Sequence, residues 1–213
     1  MRRHLKEFLM KAIRCVLLVS LLGALTLWVM PLQSAAADGS PYVAPKDKAY
    51  IVFVKAGRGS KKMRFVIFDG DLKCVSLFED NVSEIIPVKP GKHTLYTMAN
   101  NAHRMEFNVE AGRTYFIRIS LPKYGYGTVK LVPAKRDSEA FAQVKDWVKG
   151  GEASDPNEDS CRGSQLGAGK RGKDPYPPKR DSADAKWKEN AEYREKLTMN
   201  KKDGFTAKEA GAL

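Results

Sequence analysis

RMEFNVEAGRTYFIRISL, residues 104–121, is the stretch of sequence that decides the fold. In its first half the apolar residues Met105, Phe107 and Val109 alternate with polar neighbours. This pattern is typical of a β-strand with one buried face and one face in water. The alternation resumes after Ala111-Gly112, so the two halves predict a hairpin of two antiparallel strands.

Similar runs recur at intervals of about ten residues from Tyr50 to Pro133, with turn residues between them. This spacing is typical of an all-β sandwich or barrel. Residues 50–54 and 65–68 are apolar on both faces, so they predict central strands rather than edge strands. We therefore expect an all-β fold, an antiparallel β-sandwich of about seven or eight strands.

Turn residues indicate where several of these strands end. Asp69-Gly70 is typical of a tight hairpin, because the turns that match strand twist need positive φ at their central residues. Pro90-Gly91 suits a type II turn, in which Pro presets the first central residue and Gly supplies the positive φ of the second. Val129 and Leu131 mark the last predicted strand.

After Pro133 the apolar residues follow the period of a helix instead of that of a strand. Those between Ala140 and Val148 fall on one helical stripe, and Asp137 or Ser138 can cap its start. This predicts one amphipathic helix that closes a face or an end of the sandwich. The domain would then span residues 46–150, after a linker at residues 38–45.

Residues 151–213 contain no Val and no Ile, and their prolines stand among Gly, Ser, Asp and Lys. Such a segment buries too little apolar surface to offset chain entropy, so its composition predicts a largely disordered polar tail. Residues 183–197 are good helix formers, with Glu192 and Lys196 spaced for an ion pair. A helix of this length is marginal alone, so it is either transient or docked by Trp187.

The segment 1–37 has the three parts of an export signal: a basic start, an apolar run from Val16 to Met30, and small residues before a cleavage position. We predict cleavage between Ala37 and Asp38, which makes the mature protein periplasmic or secreted. The alternative is an uncleaved N-terminal helix that anchors the chain, because the apolar run is only slightly shorter than a membrane span. A membrane partner is expected only in that case.

The net charge of +12 is unevenly distributed along the chain. Residues 1–37 carry +4, residues 38–150 carry +7 and residues 151–213 carry +1. A third of the excess therefore belongs to the export signal. We expect no nucleic-acid partner, because an exported protein does not meet the genome and because Arg113-Thr-Tyr-Phe-Ile117 does not match the motif of RNA-recognition sheets. Anionic envelope components, or another envelope protein, are the expected partners.

Basic residues of the predicted sandwich are the candidate contacts for such an anionic surface. They are Arg58, Lys61, Lys62, Arg64, Arg113, Arg118 and Lys123. The alternative is a solvated basic surface that has no partner.

Motifs for catalysis, cofactors and metals are lacking. After cleavage the only histidines are His93 and His103, both beside predicted turns, and neither accompanies a Ser or Cys elbow motif. The common zinc patterns are absent. Residues 163–170 have the wrong spacing for a phosphate loop, and residues 155–166 lack the Gly and the closing Glu of a calcium loop. We expect no catalytic residue, no cofactor and no metal.

Two cysteines follow the predicted cleavage position. Export to an oxidising compartment would allow a disulfide between Cys74 and Cys161, which would tether the tail to the sandwich. The alternative is that Cys74 is simply a buried thiol.

Four segments together resemble an uncharacterised family of bacterial envelope β-sandwiches, often lipoproteins, known as a domain of unknown function. They are residues 50–54, Phe68-Asp-Gly-Asp71, the hairpin Pro90-Gly-Lys-His93, and residues 109–117. The pattern is also similar to PEGA-type surface domains. The resemblance covers about residues 46–135 and implies an envelope β-sandwich without catalytic residues. The chain departs from the lipoprotein members by lacking the lipidated Cys, and Arg113 and Phe116 stand where Lys and Tyr are usual.

These features predict an exported, non-catalytic envelope protein that binds or scaffolds through a basic β-sandwich surface. Two alternatives remain. An enzyme acting on an envelope component requires a deep pocket that gathers carboxylates or His93. Recruitment of a partner by the tail would use Tyr176-Pro-Pro178 as a polyproline ligand and Trp187 as the anchor of a helix that folds on binding.

Overall fold

The computed structural model describes residues 39–55, 65–78, 82–99, 101–120, 129–149, 152–156 and 176–213. The predicted export signal, with its cleavage site at Ala37 and Asp38, lies outside these residues. The same holds for six other predicted residues, namely Arg58, Lys61, Lys62, Arg64, Lys123 and Cys161. All described residues belong to one compact unit, 39–213. Within them, no helix has the length and hydropathy needed to cross a membrane.

Ten strands form two sheets in the described part of the chain. Sheet A contains β1 (Ala49–Lys55), β4 (Val82–Val88), β7 (Thr114–Ser120), β8 (Lys130–Pro133) and β9 (Glu152–Ser154). Sheet B contains β2 (Phe65–Asp69), β3 (Cys74–Phe78), β5 (Gly91–Met98), β6 (Ala102–Val109) and β10 (Thr198–Met199). The strand orders are β8-β7-β1-β4-β9 and β10-β6-β5-β2-β3.

Short helices follow the strands in two groups. The first group contains α1 (Glu139–Ala142) and α2 (Val144–Val148). The C-terminal group contains α3 (Tyr176–Glu189), α4 (Ala191–Leu197), a 3-10 helix (Lys201–Asp203) and α5 (Ala207–Gly211). The chain is thus mostly β, with a few helices.

The two sheets share one hydrophobic core, and β1 shows how the sequence builds it. Its alternate residues Ile51 and Phe53 are fully buried in the core between the sheets. The residues between them, Val52 and Val54, face the other way and pack in a second cluster with Trp147 of α2. Burial of each such side chain stabilises the fold by about 1.5–3 kcal/mol. The prediction that residues 50–54 form a central strand is confirmed, since β1 lies at the centre of sheet A.

The sheets are mixed, which corrects the prediction of an antiparallel sandwich with seven or eight strands. β1 pairs in parallel with β7, β4 with β9, and β6 with β10. The turn at Ala111-Gly112 does not close a hairpin, because it leads from β6 in sheet B to β7 in sheet A. Alternation of apolar residues shows which face of a strand is buried, but it does not show which strand accepts its hydrogen bonds.

The hairpin predicted at Asp69-Gly70 is confirmed, since β2 and β3 are antiparallel neighbours. The turn is longer than predicted. The Asp69 amide donates to the Lys73 carbonyl at 3.0 Å, and the positive φ falls on Leu72 at 61° rather than on Gly70. The Asp69 side chain also spans this turn, because its Oδ1 accepts from the Lys73 amide at 2.9 Å.

The helical stripe after Pro133 is confirmed, but it forms two helices instead of one. Ser138 is the N-cap of α1, and its hydroxyl accepts from the Phe141 amide. The chain turns at Gln143, and α2 then buries Val144 and Trp147 against the outer face of sheet A. The helices therefore close one face of the sandwich.

Residues 176–213 are folded, which corrects the prediction of a disordered tail for this part of the chain; residues 157–175 lie outside the described residues. Trp187, Leu197 and Met199 are buried in the core shared by the two sheets. Met199 lies opposite Phe107, where β10 extends sheet B beside β6. The segment needs few apolar residues, because each one enters a core that the sandwich already provides. The alternative in which Trp187 docks the helix is therefore the observed one, with a break between α3 and α4 at Asn190.

Phe205 anchors the end of the chain on the outer side of sheet A. It exchanges two backbone hydrogen bonds with Thr114 of β7, at 3.0 and 2.8 Å. Its ring stacks on Phe141 of α1, with centroids 3.9 Å apart, and meets Phe116 edge to face at 5.1 Å. Such ring pairs add about 0.5–1.5 kcal/mol beyond the area that they bury.

Arg136 holds the same C-terminal segment by charge. Its guanidinium donates to both carboxylate oxygens of Glu209, at 2.6 and 3.3 Å, and to the Gly204 carbonyl at 2.7 Å. This ion pair lowers the pKa of Glu209 to about 2. Gly204 is required by close approach, because a Cβ atom there would lie 2.7 Å from the Tyr115 ring.

Candidate functional site

The two predicted contacts that the structure describes are engaged with this chain itself. Arg113 pairs with Glu110 at 2.9 Å and donates to the Gly204 carbonyl at 3.0 Å. Arg118 lies under α2, with its guanidinium 5.0 Å from the centre of the Trp147 ring. The structure therefore does not bring these two arginines together into one basic surface.

A different basic site lies where β6 and β8 meet α3 and α4. It is a cavity of about 260 Å³, lined by Asn101, His103, Val129, Lys130, Leu131, Lys186, Tyr193, Lys196 and Leu197. We call this cavity the basic pocket. Among the described residues, its lining contains three lysines and no carboxylate, although the chain as a whole has 25 acidic residues.

His103 stands at the inner end of the basic pocket because of its place in β6. It has the same parity as Met105 and Phe107, so its side chain leaves the strand on the core side. Nε2 lies 2.8 Å from the Val129 carbonyl oxygen, and Nδ1 lies 2.8 Å from the Tyr193 hydroxyl. Because a carbonyl can only accept, we assign the ring proton to Nε2, which makes Nδ1 the acceptor for the Tyr193 hydroxyl.

Asn101 fixes Val129 in front of the histidine. Its Oδ1 accepts from the Val129 amide at 3.1 Å, and its Nδ2 donates to the Val129 carbonyl at 3.3 Å. The same carbonyl lies 2.8 Å from His103 Nε2, and Asn101 Nδ2 lies 2.6 Å from that ring nitrogen, so the amide and the imidazole converge on Val129. This arrangement leaves Nδ1 as the nitrogen that can take up a further proton.

Tyr193 reaches His103 because the start of α4 is fixed. Asn190 caps this helix, and its side chain accepts from the Tyr193 amide at 2.8 Å. Trp187 packs edge to face on the Tyr193 ring, and Lys186 Nζ lies 4.3 Å from the ring centre. Burial raises the pKa of Tyr193 to about 12, so its hydroxyl keeps its proton at neutral pH.

The surroundings of His103 favour its neutral form. Burial lowers the pKa of this imidazole, and the positive charges of Lys186 and Lys196 act in the same direction. The hydrogen bond to Val129 acts in the opposite direction but is the smaller effect. A negative charge in the basic pocket would offset the two lysines.

The three lysines that line the basic pocket are exposed. In the described part of the chain, none of them forms an ion pair with a carboxylate. The predicted pair of Glu192 and Lys196 is therefore not observed. Exposed, unpaired ammonium groups around a cavity favour binding of an anion.

The enzyme alternative required a pocket that gathers carboxylates or His93. The basic pocket contains His103 instead, and His93 Nε2 donates to the Lys89 carbonyl at 2.7 Å, outside the pocket. Among the described residues, no group of three or more His, Cys, Asp and Glu is placed to hold a metal ion. The arrangement is suited to binding an anion and to holding a proton.

Sequence reasoning missed this site, and only one of its residues carried a signal. His103 lies two residues before Met105, on the face predicted to be buried, so its burial could have been read from the strand pattern. Lys130, Lys186 and Lys196 are far apart in the sequence and become neighbours because α3 docks on β6 and α4 docks on β6 and β8.

The helix proposed to recruit a partner is used inside this domain. Tyr176-Pro-Pro178 begins α3, where Pro is tolerated because the first helical amides need no acceptor. Trp187 is 6% exposed and packs in the core that the two sheets share. The Arg104 guanidinium lies over its ring, 5.2 Å from the ring centre. Recruitment of a partner by this segment stays a prediction.

A second polar group is buried between the sheets. Glu84 of β4 pairs with Phe53 of β1, so its side chain enters the core, where it is 3% exposed. Burial raises its pKa to about 7, although a hydrogen bond with Ser76 of β3 acts to lower it. Oε2 of this carboxyl has no hydrogen-bond partner among the described residues.

Cys74 forms a disulfide in the structure, and its partner lies outside the described residues. We predict that the partner is Cys161, because Cys15 belongs to the predicted export signal. The denatured mature protein should show no free thiol without reductant and two after reduction, measured by thiol titration. Two free thiols without reductant would rule this disulfide out, and a Cys161→Ser variant should show one.

Comparisons with known proteins find no relative: no family model, no curated protein and no solved structure matches the chain.

Proposed function

We propose that this protein is an exported, non-catalytic binding module of the cell envelope, and that its basic pocket holds an anionic envelope group. The observation that carries the proposal is a cavity of about 260 Å³ whose described lining residues include three lysines and no carboxylate. The export part of the proposal rests on the sequence of residues 1–37.

Charge gives the pocket its preference for anions. Lys130 enters from β8, Lys186 from α3 and Lys196 from α4, so the positive charge comes from three separate elements. The lysine ammonium group is a compact point charge without the rigid, planar set of donors of arginine. It can therefore bind an oxyanion that approaches from many directions. The lysines are exposed, so their attraction is screened by salt.

Size and lining limit what can enter. A cavity of about 260 Å³ has roughly the volume of nine water molecules. Val129, Leu131 and Leu197 form an apolar wall beside the charges. One anionic group with a small apolar or sugar-like substituent therefore suits the pocket better than an extended polymer chain.

The lysines of the basic pocket should account for salt-sensitive binding to anionic surfaces. Exchanging all three for Gln, as K130Q/K186Q/K196Q, should weaken binding to phosphatidylglycerol vesicles by about 2 kcal/mol, or about thirtyfold, at low ionic strength. Vesicle co-sedimentation over a range of salt concentrations measures this loss.

The matched control removes the same net charge elsewhere. Lys92, Lys145 and Lys208 are exposed residues on other parts of the fold. K92Q/K145Q/K208Q should bind nearly as well as the unmodified protein. Equal weakening in both triple variants would show that only net charge matters, and would remove the pocket from the proposal.

A further inference from the structure

His103, which lines the basic pocket and contacts Tyr193, can bind a proton. We propose that the basic pocket takes up a tetrahedral oxyanion, such as a phosphate monoester, together with one proton that His103 accepts at Nδ1. This inference rests on the proposed function, because it assigns the ligand class and the regulation of the same pocket.

In the tautomer that we assign to His103, with the ring proton on Nε2, the site for the added proton is Nδ1. Nε2 already carries a hydrogen, which it donates to the Val129 carbonyl at 2.8 Å. Nδ1 accepts from the Tyr193 hydroxyl at 2.8 Å. A proton from solvent therefore forms a new N–H bond at Nδ1, and no other bond forms or breaks.

Protonation reverses the hydrogen bond between the two side chains. Nδ1–H then donates to Tyr193 Oη. The Tyr193 hydroxyl keeps its proton, but its O–H bond is free to rotate toward another acceptor. Tyr193 lines the cavity, so its hydroxyl becomes a hydrogen-bond donor for an oxyanion in the basic pocket. In the neutral state this donor is occupied by the histidine.

The charged groups around His103 favour binding of an anion together with the proton. Lys186 of α3 and Lys196 of α4 act on the imidazole, and Lys130 of β8 lines the same cavity. Among the described residues that line the cavity, the remaining titratable side chain is Tyr193, which stays protonated. In the described part of the chain no carboxylate lines the cavity, so an incoming anion is the group that compensates a fourth positive charge.

Linkage makes this coupling reciprocal: an anion raises the proton affinity of His103, and a proton on His103 raises the affinity for the anion. A dianion with tetrahedral oxygens suits four cationic groups and one hydroxyl better than a planar carboxylate with a single charge. The source of the dianion is either a soluble phosphate ester or a lipid headgroup that carries phosphate.

Sulfate is the probe that tests the coupling, because it stays doubly charged where phosphate itself titrates near pH 6. Calorimetric titration of the purified protein with sulfate should show affinity that rises as the pH falls from 8 to 5, by up to about tenfold per pH unit. His103→Gln should abolish this slope. Tyr193→Phe should weaken binding severalfold at pH 5 and leave it unchanged at pH 8.

If a variant fails to fold, the coupling can still be measured in the unmodified protein by nuclear magnetic resonance of the histidine rings. In the unmodified protein, saturating sulfate should raise the pKa of His103, while His93, assigned with His93→Gln, should not respond. Binding of sulfate without any pH slope, and with no response of His103, overturns this inference but leaves the proposed function standing. Absence of sulfate binding at every pH, together with equal vesicle binding by the lysine variants, overturns both.

Two further titrations identify the source of the dianion. Glycerol 3-phosphate represents a soluble ester, and phosphatidylcholine vesicles with or without phosphatidic acid represent a lipid headgroup. A response of His103 to either ligand supports the inference and names its source. No response to either contradicts the assignment to phosphate monoesters.

Discussion

Replacing Trp187 with alanine is expected to destabilise the protein by about 3–5 kcal/mol, the usual cost of removing a large buried aromatic side chain. Trp187 is 6% exposed and lies in the core that the two sheets share. Its ring also contacts Tyr193 and Arg104, so α4 and β6 lose a neighbour at the same time. Urea unfolding monitored by circular dichroism measures the change in the free energy of unfolding.

Val43→Ala is the control for this variant. Val43 is the exposed large apolar side chain of the described residues, at 36%, and its truncation should change stability by less than about 0.5 kcal/mol. A disordered C-terminal tail makes the opposite prediction for Trp187→Ala, since an unpacked tryptophan contributes nothing to folding. Equal stability of the two variants would therefore contradict the packing of α3 on the sandwich.

Replacing Glu84 with glutamine is expected to stabilise the protein at pH 8 by about 3 kcal/mol. The folded protein holds this carboxyl with a pKa of about 7, against an ordinary value of 4.5, because burial disfavours its charged form. Each unit of difference corresponds to about 1.4 kcal/mol. Glutamine has nearly the shape of the protonated acid and keeps a hydrogen bond to Ser76 without having to ionise.

The pH dependence follows from the raised pKa. Below about pH 4.5 the carboxyl is protonated in both the folded and the unfolded chain, so its contribution to stability is fully present. As the pH rises, the unfolded chain ionises first, and this contribution is lost between about 4.5 and 7. Glu84→Gln and the unmodified protein should therefore be equally stable at pH 4 and should diverge up to pH 8.

Thermal and urea unfolding at a series of pH values measures this divergence. Glu192→Gln is the control, because Glu192 is an exposed carboxylate on α4 and its removal should not depend on pH in the same way. A variant at Glu84 that is less stable than the unmodified protein at pH 8 would show that the ionised carboxylate is needed in the fold.

The strands could be predicted from the sequence because the pattern of apolar residues in each strand indicates which of its faces are buried. Residues 50–54 are apolar on both faces and lie at the centre of sheet A, and Ser138 caps a helix as its type predicts. The partner of a strand leaves no such record. β6 and β7 alternate as the strands of a hairpin do, yet they belong to different sheets.

The C-terminal segment and the basic pocket could not be predicted for a related reason. Average composition describes whether a segment can build a core, and residues 176–213 do not build one. They place Trp187, Met199 and Phe205 into cores made by other residues. The lysines of the basic pocket become neighbours only through that docking. A composition that predicts a disordered tail therefore gives no indication of the site. The resemblance to envelope β-sandwiches and the export of the chain stay predictions.

The parallel pairing of β10 with β6 also sets an order of events during synthesis. The edge of β6 opposite β5 receives its neighbour only from residues 198–199, and Phe205 reaches Thr114 later still. A ribosome makes about 5–20 residues per second, so the sandwich stays open for several seconds after its first strands have emerged. The predicted export through a narrow translocation channel would benefit from this delay, because residues 198–205 are made after the strands that they complete.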